Sequence, residues 1–252
     1  MADALSAAAT APPADALCCA LAGAGDAEAR AAVIDALEVR NLAARVQVIA
    51  DAEAALVDAF GTAPGLLVIA GTGSIALGRT AEGSLVRVGG WGAQLGDDGS
   101  AYAIGLEALR AVLRAHDGRA PPTGLAAVVS RHTSGVRTER AGAWAARASK
   151  AAIAALAPDV IALSAADAAA ASIVRAAVAE LADHARTLAR RTLPGEPTPA
   201  LALTGGLLAP GRPLRDLLRA ELGTAFAIRE ADVDAARGAA TLARRAAEQP
   251  AP

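Results

Sequence analysis

The chain has 252 residues, 24 Lys and Arg against 26 Asp and Glu, a formal net charge of −2 and only 2% aromatic residues. This composition offers neither the positive surface nor the stacking side chains that nucleic acid binding needs, so we predict no nucleic-acid partner. The hydrophobic fraction of 54% owes much to alanine. No uninterrupted apolar run is long enough to span a bilayer, and we predict a globular chain that does not bind membranes.

The first residues carry no recognisable targeting signal. Residues 1–11 (MADALSAAATA) contain an acidic side chain, no basic start and no leucine-rich apolar core. Cys18 and Cys19 follow in an apolar segment, where adjacent side chains of a strand point to opposite faces and cannot easily pair. We interpret them as buried free thiols of a reducing compartment and predict a cytoplasmic protein.

Strands and helices alternate at the start of the chain. The pattern predicts a strand over Ala16 to Leu21, a helix with Asp26 as its N-cap, a strand over Arg45 to Ala50, and a helix that begins after Asp51. A carboxylate at the end of a strand lies at the sheet edge where ligands bind, so Asp51 could take a proton from a substrate hydroxyl. Capping of the helix is an equally good account of this residue.

Glycine is concentrated between residues 61 and 105, where two strands, a hairpin and a loop that enters a helix are predicted. The turn Gly71–Ser74 offers amides and two hydroxyls that suit phosphate oxygens, although a simple hairpin turn explains it as well. Asp97 and Asp98 precede a helix and either cap it or bind a hydroxyl or a metal-bound water. Trp91 stands among glycines with little local packing to explain it, although core burial is the commoner use of Trp.

The chain contains a single lysine, Lys150, in a helical stretch of small residues. Neither a Walker P-loop nor the strand lysine of a protein kinase is therefore present. If the chain binds phosphate, we expect it to use backbone amides and hydroxyls.

The second half of the chain is mostly helical. Helical spacing dominates from Pro121 to Leu193 and includes one long helix from about Ser164 to Arg191. A buried strand that ends in two glycines, a helix, a short strand and a final helix complete an α/β order of elements. The histidines show no metal-ligand spacing, and we predict that all three lie at the surface: His116, His132 and His184.

Three segments carry a resemblance to a known family. They are IAGTGSIALGR, VRVGGWGAQLGDDGSAYAIG and ALTGGLLAPG, in this order along the chain. From about Asp15 to about Arg244 the chain resembles the BadF/BadG/BcrA/BcrD-type ATPases, a family that includes N-acetylglucosamine kinase. The resemblance implies an α/β fold of the actin-like, sugar kinase and Hsp70 superfamily, with two RNase H-like domains and ATP in the cleft between them.

The resemblance assigns the glycine turns to ATP. By this comparison the second phosphate motif consists of Gly71, Thr72, Gly73 and Ser74, and Thr72 contacts the phosphates. Gly205 and Gly206 match the adenosine motif, where close approach of the backbone to the nucleotide leaves no room for a Cβ. ATP and Mg are the implied cofactors, and no metal ligand of the chain is assigned.

The resemblance also implies the reaction. Asp51 matches the general base that acts on the sugar hydroxyl, and the loop that holds an amino sugar is matched by Gly90, Trp91, Gly92 and Asp97. The implied chemistry is in-line transfer of the γ-phosphoryl group of ATP, with Mg bridging the phosphates, to a primary hydroxyl. The substrate expected is N-acetylglucosamine or glucosamine.

Two departures from the family affect these expectations. Family members begin with a strand and a DGGGT-type hairpin, the first phosphate motif, which this chain lacks before Asp15. We therefore expect an incomplete N-terminal domain over residues 1–62, with a terminal helix at 232–249 packed back on it, and a C-terminal domain over residues 63–231. Either the start is misassigned or the chain is truncated and a poor catalyst. Ile75 replaces a polar residue that touches the sugar in eukaryotic kinases, which leaves the sugar undecided.

Two other functions are compatible with the resemblance. One is an ATPase that drives electron transfer to a reductase, but such activators hold a 4Fe-4S cluster through cysteines, and the vicinal Cys18 and Cys19 are poorly suited to this. The other is a non-catalytic nucleotide or sugar binder. For the kinase, the expected partner is a small amino sugar, and a homodimer is compatible with the family.

Overall fold

A computed structural model describes residues 13–248. The strands are β1 Leu17–Leu21, β2 Val46–Ala50, β3 Gly65–Ala70, β4 Ser74–Arg79, β5 Leu85–Gly89, β6 Ala200–Thr204 and β7 Ala227–Ile228. The α-helices are α1 Ala27–Glu38, α2 Asp51–Phe60, α3 Ala101–His116, α4 Leu125–His132, α5 Ala141–Ala145, α6 Lys150–Ala154, α7 Ala157–Leu163, α8 Ala168–Thr192, α9 Pro213–Leu222 and α10 Ala235–Glu248. Short 3-10 helices cover Thr138–Arg140 and Gly223–Ala225.

The chain divides into two compact units. Of the described residues, the first contains 13–63 and 233–248, and the second runs from Pro64 to Asp232. The first unit therefore combines the predicted strand–helix repeats of the N-terminal segment with the last helix.

The first unit is built on the parallel pair β1 and β2, in which Leu17 lies opposite Val46. One face of the pair packs against α1, and the other packs against α2 and α10. Helices α2 and α10 are in close contact, since a Cβ added to Gly238 would lie 1.8 Å from the carbonyl oxygen of Ala54. Glycine is therefore needed where α10 crosses α2.

The two cysteines lie on opposite faces of β1, as their adjacency in a strand predicts. Cys19 packs on the α1 side and Cys18 on the α2 and α10 side. Both are free and half-buried rather than fully buried. Burial raises the pKa of the Cys18 thiol to about 11, with Cys19 and Glu53 adding to the effect, and burial also raises the pKa of Cys19. At neutral pH both thiols are therefore protonated, a form that binds iron poorly.

The second unit is built on a five-stranded mixed sheet in the order β5-β4-β3-β6-β7. Strand β4 runs antiparallel to both of its neighbours, β3 and β5, whereas β3, β6 and β7 are parallel. Leu66, Leu67 and Val68 of the central strand are fully buried. This burial explains why β3 is a continuous apolar run rather than an alternating one.

Helix α8 is the longest helix of the second unit, and its start corrects the sequence prediction. It begins at Ala168, because the Asp167 carboxylate accepts a hydrogen bond from the amide of Ala170 at 2.9 Å, and α7 has already ended at Leu163. The predicted start near Ser164 was therefore four residues early. Within residues 13–248 no single helix has the length and apolarity to cross a membrane, and the segments 150–163 and 168–192 meet that criterion only together, across a bend of 111°.

The prediction of three surface histidines was wrong for His184. His116 is exposed, but His132 is half-buried with Nε2 2.9 Å from the Asp159 carboxylate. His184 is buried on α8 under the glycine turn that ends β5, where a Cβ added to Gly89 would lie 2.9 Å from its ring. An arginine-rich helix suggested solvent exposure, but His184 lies on the face of α8 that packs against the sheet.

Candidate active site

The two glycine turns singled out in the sequence meet at one edge of the sheet in the second unit. The turn Gly71–Ser74 follows β3, and Gly205 follows the neighbouring parallel strand β6. The amide of Leu207 donates to the carbonyl oxygen of Ala70 at 3.0 Å, and a Cβ added to Gly71 would lie 3.7 Å from the amide nitrogen of Gly206. The carboxyl ends of parallel strands are where α/β proteins bind ligands, so this edge is the candidate nucleotide site.

Gly205 and Gly206 are glycines for different reasons. Gly205 has φ +95°, and a Cβ there would lie 2.5 Å from the carbonyl oxygen of Ala70, so the turn itself requires glycine. Gly206 is exposed, and a Cβ on it would meet nothing within 4 Å. The resemblance implies that the nucleotide approaches the backbone of both glycines. The structure leaves free space for such an approach at Gly206.

A buried arginine holds the chain that follows β6. The guanidinium of Arg215 is 2% exposed and donates to the carbonyl oxygens of Leu203 at 3.0 Å, Leu208 at 2.8 Å and Arg229 at 2.8 Å. These bonds tie α9 to both ends of the glycine turn. This role is not predictable from the sequence, because helical spacing alone does not distinguish a buried arginine from a solvated one.

The turn Gly71–Ser74 is fixed from below by the start of α3. The amides of Ala101 and Tyr102 donate to the carbonyl oxygens of Gly71 at 2.9 Å and Thr72 at 3.3 Å. The amide of Gly71 closes the turn by donating to the carbonyl oxygen of Gly73 at 2.9 Å. Thr72 is exposed, and its hydroxyl forms no hydrogen bond to another residue of the described range 13–248. That hydroxyl is therefore available to a ligand.

Ser74 is already engaged within the protein. Ser74 is only 3% exposed. Its hydroxyl donates to the carbonyl oxygen of Asp98 at 2.7 Å, and its amide donates to the Asp97 carboxylate at 3.3 Å. These bonds join the phosphate-motif turn to the loop before α3. In this arrangement Ser74 can support the turn, and Thr72 is the exposed residue of the turn.

Asp97 is buried and holds an unusual backbone conformation. It has φ +59°, which is uncommon for a residue other than glycine, and is 4% exposed. Its Oδ1 accepts from the Ser74 amide, and its Oδ2 lies 2.6 Å from Nζ of Lys150. The cap of α3 is Ser100, whose hydroxyl accepts from the amide of Ala103 at 3.2 Å, so the capping alternative for Asp97 and Asp98 was wrong.

The loop after β5 presents Trp91 to solvent. Gly89, Gly90 and Gly92 all have positive φ angles, and the Trp91 side chain between them is 66% exposed. The guanidinium of Arg87 lies 4.1 Å from the centre of its ring. Core burial is therefore excluded for this tryptophan, and its open ring face is suited to stacking on a sugar.

Ile75 lies beneath the same loop. A Cβ added to Gly90 would approach the Ile75 side chain to 2.8 Å. The contact explains the glycine at this position, because any side chain would collide with Ile75.

Asp51 belongs to the first unit, at the carboxyl end of β2. It is the first residue of α2 and exposed, and its Oδ1 accepts a hydrogen bond from the amide of Ala52 at 2.8 Å. The N-cap position itself is occupied by Ala50, whose side chain makes no capping bond. The N-cap interpretation of Asp51 was therefore wrong, whereas the carboxylate is accessible to solvent and the general-base interpretation stays a prediction.

Comparison with known protein families gives a match over almost the whole chain. The model of the BadF/BadG/BcrA/BcrD ATPase family matches residues 2–243. The chain belongs to this family. The resemblance identified from the three glycine-rich segments is thereby confirmed.

Characterised relatives match parts of the chain. An N-acetylmuramic acid/N-acetylglucosamine kinase of Clostridium acetobutylicum is 40% identical over 108 residues, and an N-acetyl-D-glucosamine kinase of Dictyostelium discoideum is 44% identical over 81 residues. These matches cover 43% and 32% of this chain. They span only 35% and 25% of the lengths of the two relatives.

Solved structures match the fold over most of the chain. A protein of Chromobacterium violaceum assigned as an N-acetylglucosamine kinase superposes with a TM-score of 0.75 and 30% identity, covering 92% of this chain and 77% of that one. A similarly assigned protein of Porphyromonas gingivalis gives a TM-score of 0.61 with 19% identity, covering 86% and 73%. The predicted α/β, actin-like fold class of this family member is confirmed.

Proposed function

We propose that this chain transfers the γ-phosphoryl group of ATP to the primary hydroxyl of an amino sugar, N-acetylglucosamine or glucosamine. The observation that carries the proposal is the edge of the second unit where the turns after β3 and β6 meet. An exposed Thr72 hydroxyl and an open Gly206 backbone lie on this edge. The similarity to proteins named N-acetylglucosamine kinase supports the choice of sugar.

The residues of the two glycine turns have separate roles in the proposed binding of ATP. Thr72 and Gly73 donate to the phosphates, and Gly206 lets the adenosine approach the backbone. Gly71 and Ser74 shape the turn, and Gly205 turns the chain after β6. Mg²⁺ bound with ATP would neutralise charge on the phosphates. Within residues 13–248 no group of three or more His, Cys, Asp or Glu side chains could hold a metal ion.

The amino acids that we propose to bind the sugar are chosen for their exposure and charge. We propose that the sugar packs on the open Trp91 ring, that Gly90 and Gly92 give the loop its course, and that Asp97 fixes the loop from below. Asp51 of the first unit orients the primary hydroxyl and accepts its proton during transfer. Its carboxylate suits this role because it is exposed, and the bond from the Ala52 amide holds it at the start of α2. A cytoplasmic location, with ATP and reducing conditions, belongs to the same proposal.

Replacing Trp91 with Ala tests the sugar site. We expect the affinity for N-acetylglucosamine to fall about tenfold, because loss of a stacking face costs roughly 1 kcal/mol or more. The affinity for ATP should stay the same. Isothermal titration with the sugar and with ATP in separate experiments measures both.

The matched control for this substitution is Leu95→Ala. Leu95 lies in the same loop and is 83% exposed, so both changes remove an exposed side chain without opening a core. Equal sugar affinity in the two variants would contradict the role of Trp91. Saturable sugar binding without phosphoryl transfer by the unaltered chain would favour a non-catalytic binder.

A further inference from the structure

The only lysine of the chain lies at the proposed phosphate turn, 53 residues from its partner in sequence. Nζ of Lys150 is 2.6 Å from Oδ2 of Asp97, with side-chain exposures of 39% for the lysine and 6% for the carboxylate. A Cβ added to Gly73 would lie 3.0 Å from Nζ and 2.9 Å from Oδ1 of Asp97. Lysine, carboxylate and turn are therefore in mutual contact, and Gly73 must be glycine to leave room for them.

Packing between two helices brings the lysine to this place. Lys150 is the first residue of α6, whose cap is Ser149. Helix α6 approaches α3 so closely that a Cβ added to Gly105 would lie 2.1 Å from the carbonyl oxygen of Ile153. A cation at a helix N-terminus is electrostatically unfavourable, so the ion pair with Asp97, rather than α6 itself, accounts for lysine at this position.

The ion pair also explains how Asp97 can be buried. A carboxylate taken out of water needs a compensating charge and hydrogen bonds, and here they come from Lys150 and the Ser74 amide. The left-handed backbone of Asp97 is a conformation that the surroundings must hold in place. Without the ammonium group, the carboxylate would turn toward water and release Ser74.

We propose that Lys150 is a positioning residue, which fixes the turn Gly71–Ser74 through the buried carboxylate of Asp97. Its consequence for ATP binding rests on the function proposed above, whereas its consequence for the turn does not. The sequence comparison assigned no role to this lysine. The phosphate turn is accordingly held by a charge as well as by the amides of α3.

Hydrogen–deuterium exchange on the full chain tests the proposal without any substrate. In Lys150→Met, amides of residues 71–74 and 97–102 should exchange at least tenfold faster than in the unaltered chain, whereas those of 174–188 in α8 should not change. Unchanged exchange at the turn would overturn the proposal. If Lys150→Met alone does not fold, the double variant Asp97→Asn with Lys150→Met removes both charges. Amides of the same residues should then exchange faster than in the unaltered chain.

Chemical rescue separates the charge from the packing of the side chain. Lys150→Cys alkylated with 2-bromoethylamine restores an ammonium group at nearly the length of lysine, and alkylation with iodoacetamide adds a neutral amide. Slow exchange at the turn should return with the first reagent only. Equal exchange after both reagents would contradict a role for the charge. The unaltered chain, treated in the same way, controls for Cys18 and Cys19, whose thiols have raised pKa values.

A substitution that displaces α6 while leaving Lys150 unchanged is an independent test. Gly105→Ala should displace α6 and loosen the turn as Lys150→Met does, because the added Cβ collides with the Ile153 carbonyl. The control is Gly142→Ala in α5, where a Cβ meets nothing within 4 Å. Faster exchange at the turn in both variants, or in neither, would contradict the route through α6.

Titration with ATP then connects the turn to function. The affinity for ATP should fall at least tenfold in Lys150→Met and return with the restored ammonium group. If the unaltered chain binds neither ATP nor N-acetylglucosamine, the proposed function fails, and the exchange data still decide the role of Lys150. ATP affinity unchanged in a variant with a loosened turn would show that the turn does not bind phosphate.

Discussion

Asp51→Asn is expected to lower the rate of phosphoryl transfer to the sugar by roughly 10²–10⁴-fold, the usual contribution of a general base. Asparagine keeps an oxygen for the hydrogen bond from the Ala52 amide but cannot accept the proton of the sugar hydroxyl. The fold and the affinities for ATP and sugar should therefore change little, and the loss should appear in kcat. Steady-state kinetics with thermal denaturation of both proteins measure the two effects.

Asp26→Asn is the matched control for this experiment. Asp26 also follows a strand of the first unit, is exposed, and accepts a hydrogen bond from a helix amide, that of Ala29 at 2.8 Å. We expect this variant to keep its activity. A rate for Asp51→Asn within about threefold of this control would contradict the general-base role, because both variants replace a carboxylate that accepts a hydrogen bond from a helix amide.

Gly205→Ala should strongly destabilise the second unit. The backbone of Gly205 has φ +95°, and the added methyl group would lie 2.5 Å from the carbonyl oxygen of Ala70, so the turn between β6 and α9 cannot keep its course. Backbone strain and a steric clash together cost about 3 kcal/mol. For a chain of this size such a loss lowers the Tm by roughly 6–12 °C. Thermal and urea denaturation measure it.

The neighbouring substitution Gly206→Ala separates the two glycines. A Cβ on Gly206 meets nothing within 4 Å, so stability should stay within about 0.5 kcal/mol of the unaltered chain. The affinity for ATP should nevertheless fall, because the methyl group fills the space proposed for the nucleotide. Equal destabilisation by the two substitutions would contradict the conformation described for this turn.

The order of strands and helices could be predicted from the sequence because each element has a local signal. Asp26 caps α1 as expected, and the apolar residues Val174, Val178, Leu181 and Leu188 recur at helical spacing and are buried in α8. The start of α8 was misplaced because Ser164 and Asp167 are both good helix-capping residues, and only the course of the chain after α7 selects the second.

The candidate site was predictable only where its residues are close together in sequence. Glycine-rich turns identify themselves by composition, and the family match confirms the resemblance they carry. Lys150 gave no signal, because the contact with Asp97 depends on the approach of α6 to α3 rather than on any spacing. The burial of Ser74 and His184 was missed for the same reason, since their partners lie 23 or more residues away in sequence.

Phosphoryl transfer from γ-labelled ATP to N-acetylglucosamine tests the central claim most directly. The reaction should be followed by mass spectrometry of the sugar, with the 6-deoxy analogue, which has no primary hydroxyl, as the comparison. We expect a labelled sugar phosphate from N-acetylglucosamine and none from the analogue. Consumption of ATP at the same rate with and without sugar, and no phosphorylated sugar, would contradict the assignment as an amino sugar kinase.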